Sequence, residues 1–208
     1  MRTSVNYLSL IEPKKMLNSK QRDYRVLYER YVNQMYSYGM ALGVEEDTLH
    51  DLIHDVFLHL FEHKNEIQEG ENEKYYLLRC LKNRLISVQR KKIDFEELPA
   101  TDDYPFLMTV SGFDIEEEEE RLEVSLMIEN MMNSLTGRQR EAIYLRYMQE
   151  LEYDEIAVLL GLTTKGTRKL VYRALDHIRK EYGQGLLILL FSKFFYSNGV
   201  ISNFFACI

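Results

Sequence analysis

This chain of 208 residues has little of what breaks helices or staples small folds: three prolines, ten glycines, two cysteines and no tryptophan. Two cysteines, Cys80 and Cys207, cannot build a disulfide framework, and they point to a reducing compartment, the cytoplasm. Scarce proline and glycine among long runs of helix-forming residues predict an all-α protein. No stretch alternates as a half-buried strand does, and no segment repeats. The opening MRTSVNYLSLIEPKK puts its charges on the wrong side of a short apolar run for a secretory signal. With 46% hydrophobic and 28% charged residues the chain is globular, long enough for one large domain or two small ones.

A net charge of −7 looks wrong for a nucleic-acid binder until the charges are located. Residues 94–123 hold twelve acids against one base, Arg121, so this window is −11 and everything else is +4. Two basic segments therefore flank an acidic one. Pro99, Pro105 and Gly112 mark the acidic stretch as a linker. The expected organisation is a leader over 1–18, a front helical domain over 19–93, an acidic linker over 94–115, a back helical domain over 116–183 and an apolar tail over 184–208.

The back domain is the most informative. Ile143, Leu145, Tyr147 and Leu151 fall in one apolar helical segment, and Ile156, Ala157 and Leu160 in the next. Gly161-Leu162-Thr163 then makes a sharp turn, with Thr163 placed to cap a final helix. Over 163–180 that helix carries Lys165, Arg168, Lys169, Arg173, Arg179 and Lys180 against one acid, Asp176. This is the pattern of a helix-turn-helix whose last helix enters a major groove, early residues on base edges and cations on phosphates.

In the front domain, Tyr24, Leu27, Tyr28, Tyr31, Val32 and Met35 recur at helical spacing, and Gly43 ends that helix. The next helix, to about Glu62, turns Leu49, Leu52, Ile53, Val56, Phe57 and Leu60 inward and Asp51, Asp55, Leu58 and Glu62 outward. An exposed acidic face containing a leucine suits docking on a basic partner. A third helix over about 73–92 carries Arg79, Lys82, Arg84, Arg90, Lys91 and Lys92 and, from Arg79 on, no acid. Its apolar stripe of Leu77, Leu78, Leu81, Leu85 and Val88 leaves the cations to the remaining face. Tyr75 and Tyr76 just upstream either stack on unpaired bases or pack at the helix start. His50, His54, His59 and His63 form two pairs at i,i+4 spacing, but the pairs point to opposite sides of the helix and cannot share one ion; no metal site is expected.

Together LYERYVNQMYSYGMAL, DLIHDVFLHLFEH, YYLLRCLKNRLISVQRKK and SLTGRQREAIYLRYMQELEYDEIAVLLGL…YRAL resemble a bacterial sigma factor of the extracytoplasmic-function (ECF) group of the sigma-70 family. The resemblance covers about 24–92 and 131–182. It implies that Asp51, His54, Asp55, Phe57 and Leu58 dock on core RNA polymerase. It implies that Tyr75, Tyr76, Asn83, Arg84, Ser87, Arg90 and Lys91 meet the −10 element as it melts. Thr164, Lys165, Arg168, Lys169, Tyr172 and Arg173 would read the −35 element. It further implies promoter DNA as a partner, an anti-sigma factor as the usual inhibitor, no catalytic residue and no cofactor. The acidic linker would thread the polymerase's basic RNA path. The chain departs from the family at Tyr76, His54 and Ser87, where Trp, Gln and Asp are usual, and at Gly166-Thr167, where Thr-Val is usual. Glycine within a helix costs about 1 kcal/mol relative to alanine, so the last helix is expected to start loosely or to approach DNA closely.

The apolar tail contains Leu187, Leu190, Phe191, Phe194 and Phe195 but also Lys193, Asn198, Gly199 and Asn203, which suit it poorly to spanning a bilayer. Docking on the back domain is expected first, a partner or membrane surface second, spanning third; docked over the last helix, it would be autoinhibitory. Two other readings use the same residues: a helix-turn-helix regulator acting without polymerase, and a histidine-based metal hydrolase.

Overall fold

A computed structural model describes residues 19–62, 72–92, 106–107 and 118–183. The expectations for the leader, most of the linker and the tail lie outside these residues. Every regular element among them is helical: α1 (Ser19–Ala41), α2 (Glu46–Glu62), α3 (Glu73–Lys92), α4 (Glu118–Asn133), α5 (Gly137–Ile143) continuing as a π-helical turn (Tyr144–Met148), α6 (Tyr153–Leu160) and α7 (Thr164–Tyr182). The protein is all-α, with the helices where the apolar periodicity put them.

In the front half, α1, α2 and α3 pack on one another. Met35 and Tyr38 from α1, Leu49, Leu52, Ile53, Val56 and Leu60 from α2, and Leu77, Leu78, Leu81 and Leu85 from α3 fill the space between them. Each such side chain taken out of water contributes on the order of 1.5–3 kcal/mol, so the apolar stripe rather than intrinsic propensity holds each helix in place. α1 and α2 approach closely at Gly39. A Cβ there would stand 2.1 Å from Cδ1 of the fully buried Leu49.

The back half is built around helix ends. Thr136 starts α5 with a capping box: its hydroxyl accepts from the Gln139 amide at 3.3 Å, and the Gln139 side chain accepts from the Thr136 amide at 3.0 Å. Glu152 and Glu155 form the same reciprocal arrangement at the start of α6. α6 stops at Gly161, whose φ of +63° lies where a side chain would be strained. The Leu162 amide reaches back to the Ala157 carbonyl at 2.8 Å and the Gly161 amide to Val158 at 3.3 Å, closing the helix end. Arg138 donates to the Leu160 carbonyl at 2.6 Å from across the turn. α5, α6 and α7 thus form one helix-turn-helix body, with Ile156, Val171, Ala174 and Ile178 at its centre.

Gly39→Ala should lower stability by about 1–3 kcal/mol despite alanine's better helix propensity, because Leu49 has no free space to yield. Urea unfolding of the two proteins measures this.

Candidate nucleic-acid interface

The outward face of α7 is a cationic stripe. Lys165, Arg168, Lys169, Tyr172 and Arg173 are exposed, Thr164 is half-buried, and Thr167, Val171, Ala174 and Ile178 face the core. Tyr172, 67% exposed, is the most open large hydrophobic residue described, an unfavourable place for a ring with nothing to stack on. The start of the helix is closed rather than loose: the Thr163 hydroxyl accepts from the Gly166 amide at 3.1 Å, and the buried Thr167 hydroxyl donates to the Thr163 carbonyl at 3.1 Å. A Cβ at Gly166 would itself stand 3.1 Å from the Thr163 hydroxyl oxygen, so glycine leaves this cap its room.

On α3, Asn83 and Ser87 are exposed and Arg84 half-exposed. The Ser87 hydroxyl donates to the Asn83 carbonyl at 2.8 Å. Arg90 and Lys91 lie in α3, with side chains outside the described residues. The two tyrosines part company. Tyr76 is half-buried, whereas Tyr75 is 9% exposed and belongs to the core. In this structure Tyr75 is therefore a packing residue and does not present its ring to a base. Adjacent helix positions differ by about 100°, so only one of the pair can face out.

On α2, Asp51, His54, Asp55 and Leu58 face solvent together, joined by Phe61 at 43% exposure. Phe57 sits half-buried with its ring edge-on to Tyr28. Asp55 and Arg84 meet at 3.4 Å, so one residue expected at polymerase holds one expected at DNA. The pair is exposed and weak, worth under about 1 kcal/mol. Among the described residues no three histidine, cysteine or acidic side chains converge as a metal site requires; His50 lies 3.9 Å from Glu46 and stacks near Tyr36, and His63 is outside the described residues. No helix among the described residues is long and apolar enough to cross a membrane.

The contact that sequence reasoning missed joins the two halves. Glu141 of α5 has no exposed surface. Its Oε1 accepts from the Lys82 ammonium at 2.7 Å and from the Tyr38 hydroxyl, residues of α3 and α1. Beside it, Tyr38 and Tyr144 stack 6.0 Å apart and nearly parallel, and Phe106 from the acidic segment packs edge-on to Tyr144 at 5.4 Å. Phe106 is 1% exposed, and the amide of Leu107 donates to the Ala41 carbonyl at 2.7 Å. At the other end of the seam Asn72 donates to Glu155 at 3.3 Å. Lys82 is thus directed to Glu141, not to the free cationic face of α3, and Phe106 and Leu107 are docked rather than part of a uniform spacer. The sequence did carry a signal: Lys82 falls within the angular range of Leu78, Leu81 and Leu85, and Glu141 stands next to the apolar run Ala142 to Leu145. A charge on each of two buried faces is a complementary pair.

The family patterns for sigma-70 region 2 and for sigma-70 region 4 match residues 27–93 and 125–178, in that order. The chain belongs to the sigma-70 family. The ECF RNA polymerase sigma factor SigM of Bacillus subtilis (strain 168) is 21% identical over 160 residues, covering 77% of this chain and 95% of that protein. The ferric citrate uptake sigma factor FecI of Escherichia coli (strain K12) is 38% identical over 71 residues, 33% of this chain and 41% of that one. The factor therefore falls in the ECF group, and with RNA polymerase it directs promoter recognition. In solved structures, the sigma factor RpoE in complex with the anti-sigma factor NepR from Bartonella quintana aligns with a TM-score of 0.51 at 18% identity, over 76% of this chain and 96% of that one. CnrH in complex with the cytosolic domain of CnrY aligns at 0.50 and 18%, over 78% and 88%. At that identity the likeness concerns the fold.

Lys82→Met should cost about 3–5 kcal/mol, because it strands a buried carboxylate. Glu141→Gln should cost less, since its amide oxygen still accepts and Lys82 can turn to solvent; denaturant midpoints of the two variants test the order. Burial pushes the Tyr144 phenol up to about 12, against the hydrogen bond donated by Gln149, which lowers it. The unfolded chain releases this proton near pH 10, so stability is intact below that pH and falls as pH rises toward 12, by about 2–3 kcal/mol in all. Tyr144→Phe should flatten the fall over that window in pH-dependent unfolding.

Proposed function

We propose that the chain reads the −35 element with α7, captures the −10 strand with the exposed face of α3, and docks on core polymerase through Asp51, His54, Asp55, Phe57 and Leu58. The observation that carries this is the exposed stripe of Lys165, Arg168, Lys169, Tyr172 and Arg173 on the capped second helix of a helix-turn-helix. In such a helix early residues meet base edges and flanking cations meet phosphates. On α3, Tyr76, Asn83, Arg84 and Ser87, together with Arg90 and Lys91, are the groups for single-stranded bases and backbone. Tyr75 supports them from the core. The factor works in the cytoplasm and supplies no catalytic group; polymerase makes the bonds. The complexes of RpoE with NepR and of CnrH with the cytosolic domain of CnrY support an anti-sigma factor as a further partner. The match of the front half to region 2 leaves the stand-alone regulator without a feature of its own.

The seam adds a mechanical requirement. By their numbering the two promoter elements lie about 25 base pairs apart, or about 85 Å of duplex at 3.4 Å per step. In the structure α3 touches α6, which packs on α7, so the two reading helices lie only a couple of helix diameters apart, roughly 20–25 Å. One factor contacting both elements must part its halves, withdrawing Phe106 and exposing Glu141 and Lys82 to water. The acidic linker would then be free for the cationic RNA path.

Transcription in vitro with bacterial core polymerase across a promoter library tests this, with donor and acceptor dyes placed on α2 and α7. Specific starts only in the presence of the chain, with energy transfer lost on holoenzyme assembly, are the expected result. Absence of specific starts, or specific starts with unchanged transfer, would overturn the role or the opening respectively.

A further inference from the structure

Arg168 does not stand free on the recognition helix. Its guanidinium carbon lies 5.4 Å from the centre of the Tyr153 ring, at the first turn of α6. The same ring carries Arg146 at 4.7 Å. Arg146 is itself tied down: it donates to the Leu151 carbonyl at 2.8 Å and pairs with Glu152 at 3.2 Å. Two uncompensated cations on one ring would repel each other. Glu152 offsets the charge of Arg146, and among the described residues no carboxylate pairs with Arg168, so the face of Tyr153 is left to hold Arg168.

What this contact does follows from the shape of the group. A guanidinium stacks through its flat face, while its N–H donors lie in the plane and point outward from the edge. Stacking on Tyr153 therefore fixes the direction of the fork without occupying it. At about 100° per residue Lys165, Lys169 and Tyr172 share the middle of the outward face, and Arg168 lies at its margin on the side of Tyr153. An unsupported arginine there would sample many rotamers. A stacked one has given up that freedom before DNA arrives, so less is lost on binding. The in-plane fork matches the O6 and N7 acceptors of guanine in the major groove.

We propose that Tyr153 is a positioning residue that presets Arg168 for a guanine contact in the −35 element, so that part of the base preference is set from outside the recognition helix. This rests on α7 being the −35 reader. Exposed cation–ring contacts are modest, and the expected effect is about two- to five-fold.

The test is equilibrium binding of full-length holoenzyme to fluorescent promoter duplexes carrying every single-base change in the −35 element. Tyr153→Phe keeps the ring and should bind and discriminate as the parent does. Tyr153→Ala should weaken the preferred promoter about two- to five-fold and flatten discrimination at one guanine. Arg168→Ala should flatten the same position, and adding Tyr153→Ala to it should change nothing further. An equal loss from Tyr153→Ala with and without Arg168 would make Tyr153 merely structural and overturn the proposal. Arg168→Ala without effect while Lys165→Ala and Lys169→Ala weaken binding would overturn the positioning role alone. Silence of all three would overturn the −35 reading with it.

Discussion

One buried carboxylate decides how this chain is put together. Glu141 has given up all contact with water, a loss that costs several kcal/mol unless strong donors replace the solvent. The donors are Lys82 and Tyr38, which reach it from the front bundle. Neither half can bury its share of the seam without the other. The aromatic group of Tyr38, Tyr144 and Phe106 then closes over the pair and keeps water from competing for it. The halves consequently share one core while keeping separate surfaces.

Those surfaces divide by charge. The α7 stripe and the outer face of α3 are cationic, and the outer face of α2 is acidic with Leu58 and Phe61 among its carboxylates. A protein whose total charge is negative can bind DNA because its acids are gathered into one segment and one helix face. The Asp55–Arg84 contact is where an acidic and a cationic face touch. Polymerase groups that take Asp55 would release Arg84 to the DNA side, a small bias added at the moment both partners arrive.

The helices, the turn at Gly161 and the cap at Thr163 were legible because each rests on local physics: period, a left-handed turn and a hydroxyl within reach of a free amide. The orientation of α7 was legible for the same reason, since its buried and charged positions fall on opposite sides. Pairings that cross long stretches of chain were not. Glu141 meets a lysine 59 residues away and a tyrosine 103 away, and no period links them. The docking of Phe106 was hidden by the acids around it, which made its segment read as solvated throughout. At Tyr75 and Tyr76 the sequence gave two rings and one outward position. The side that faces the core is set by how α3 leans on its neighbours, as with Tyr31, whose hydroxyl ties α1 to Glu73 at 3.0 Å.

The π-helical turn over Tyr144–Met148 has a bearing on ancestry. Such a turn holds one more residue than an α-turn over the same rise. Removing one residue would restore regular winding but swing everything after it by about 100° relative to everything before. Tyr144, on the near side, looks into the seam; Leu151 and the helix-turn-helix follow on the far side. Point substitutions can therefore accumulate along this stretch, whereas a single-codon deletion would turn the DNA-reading stripe away from its groove in one step. Length here should drift far more slowly than composition.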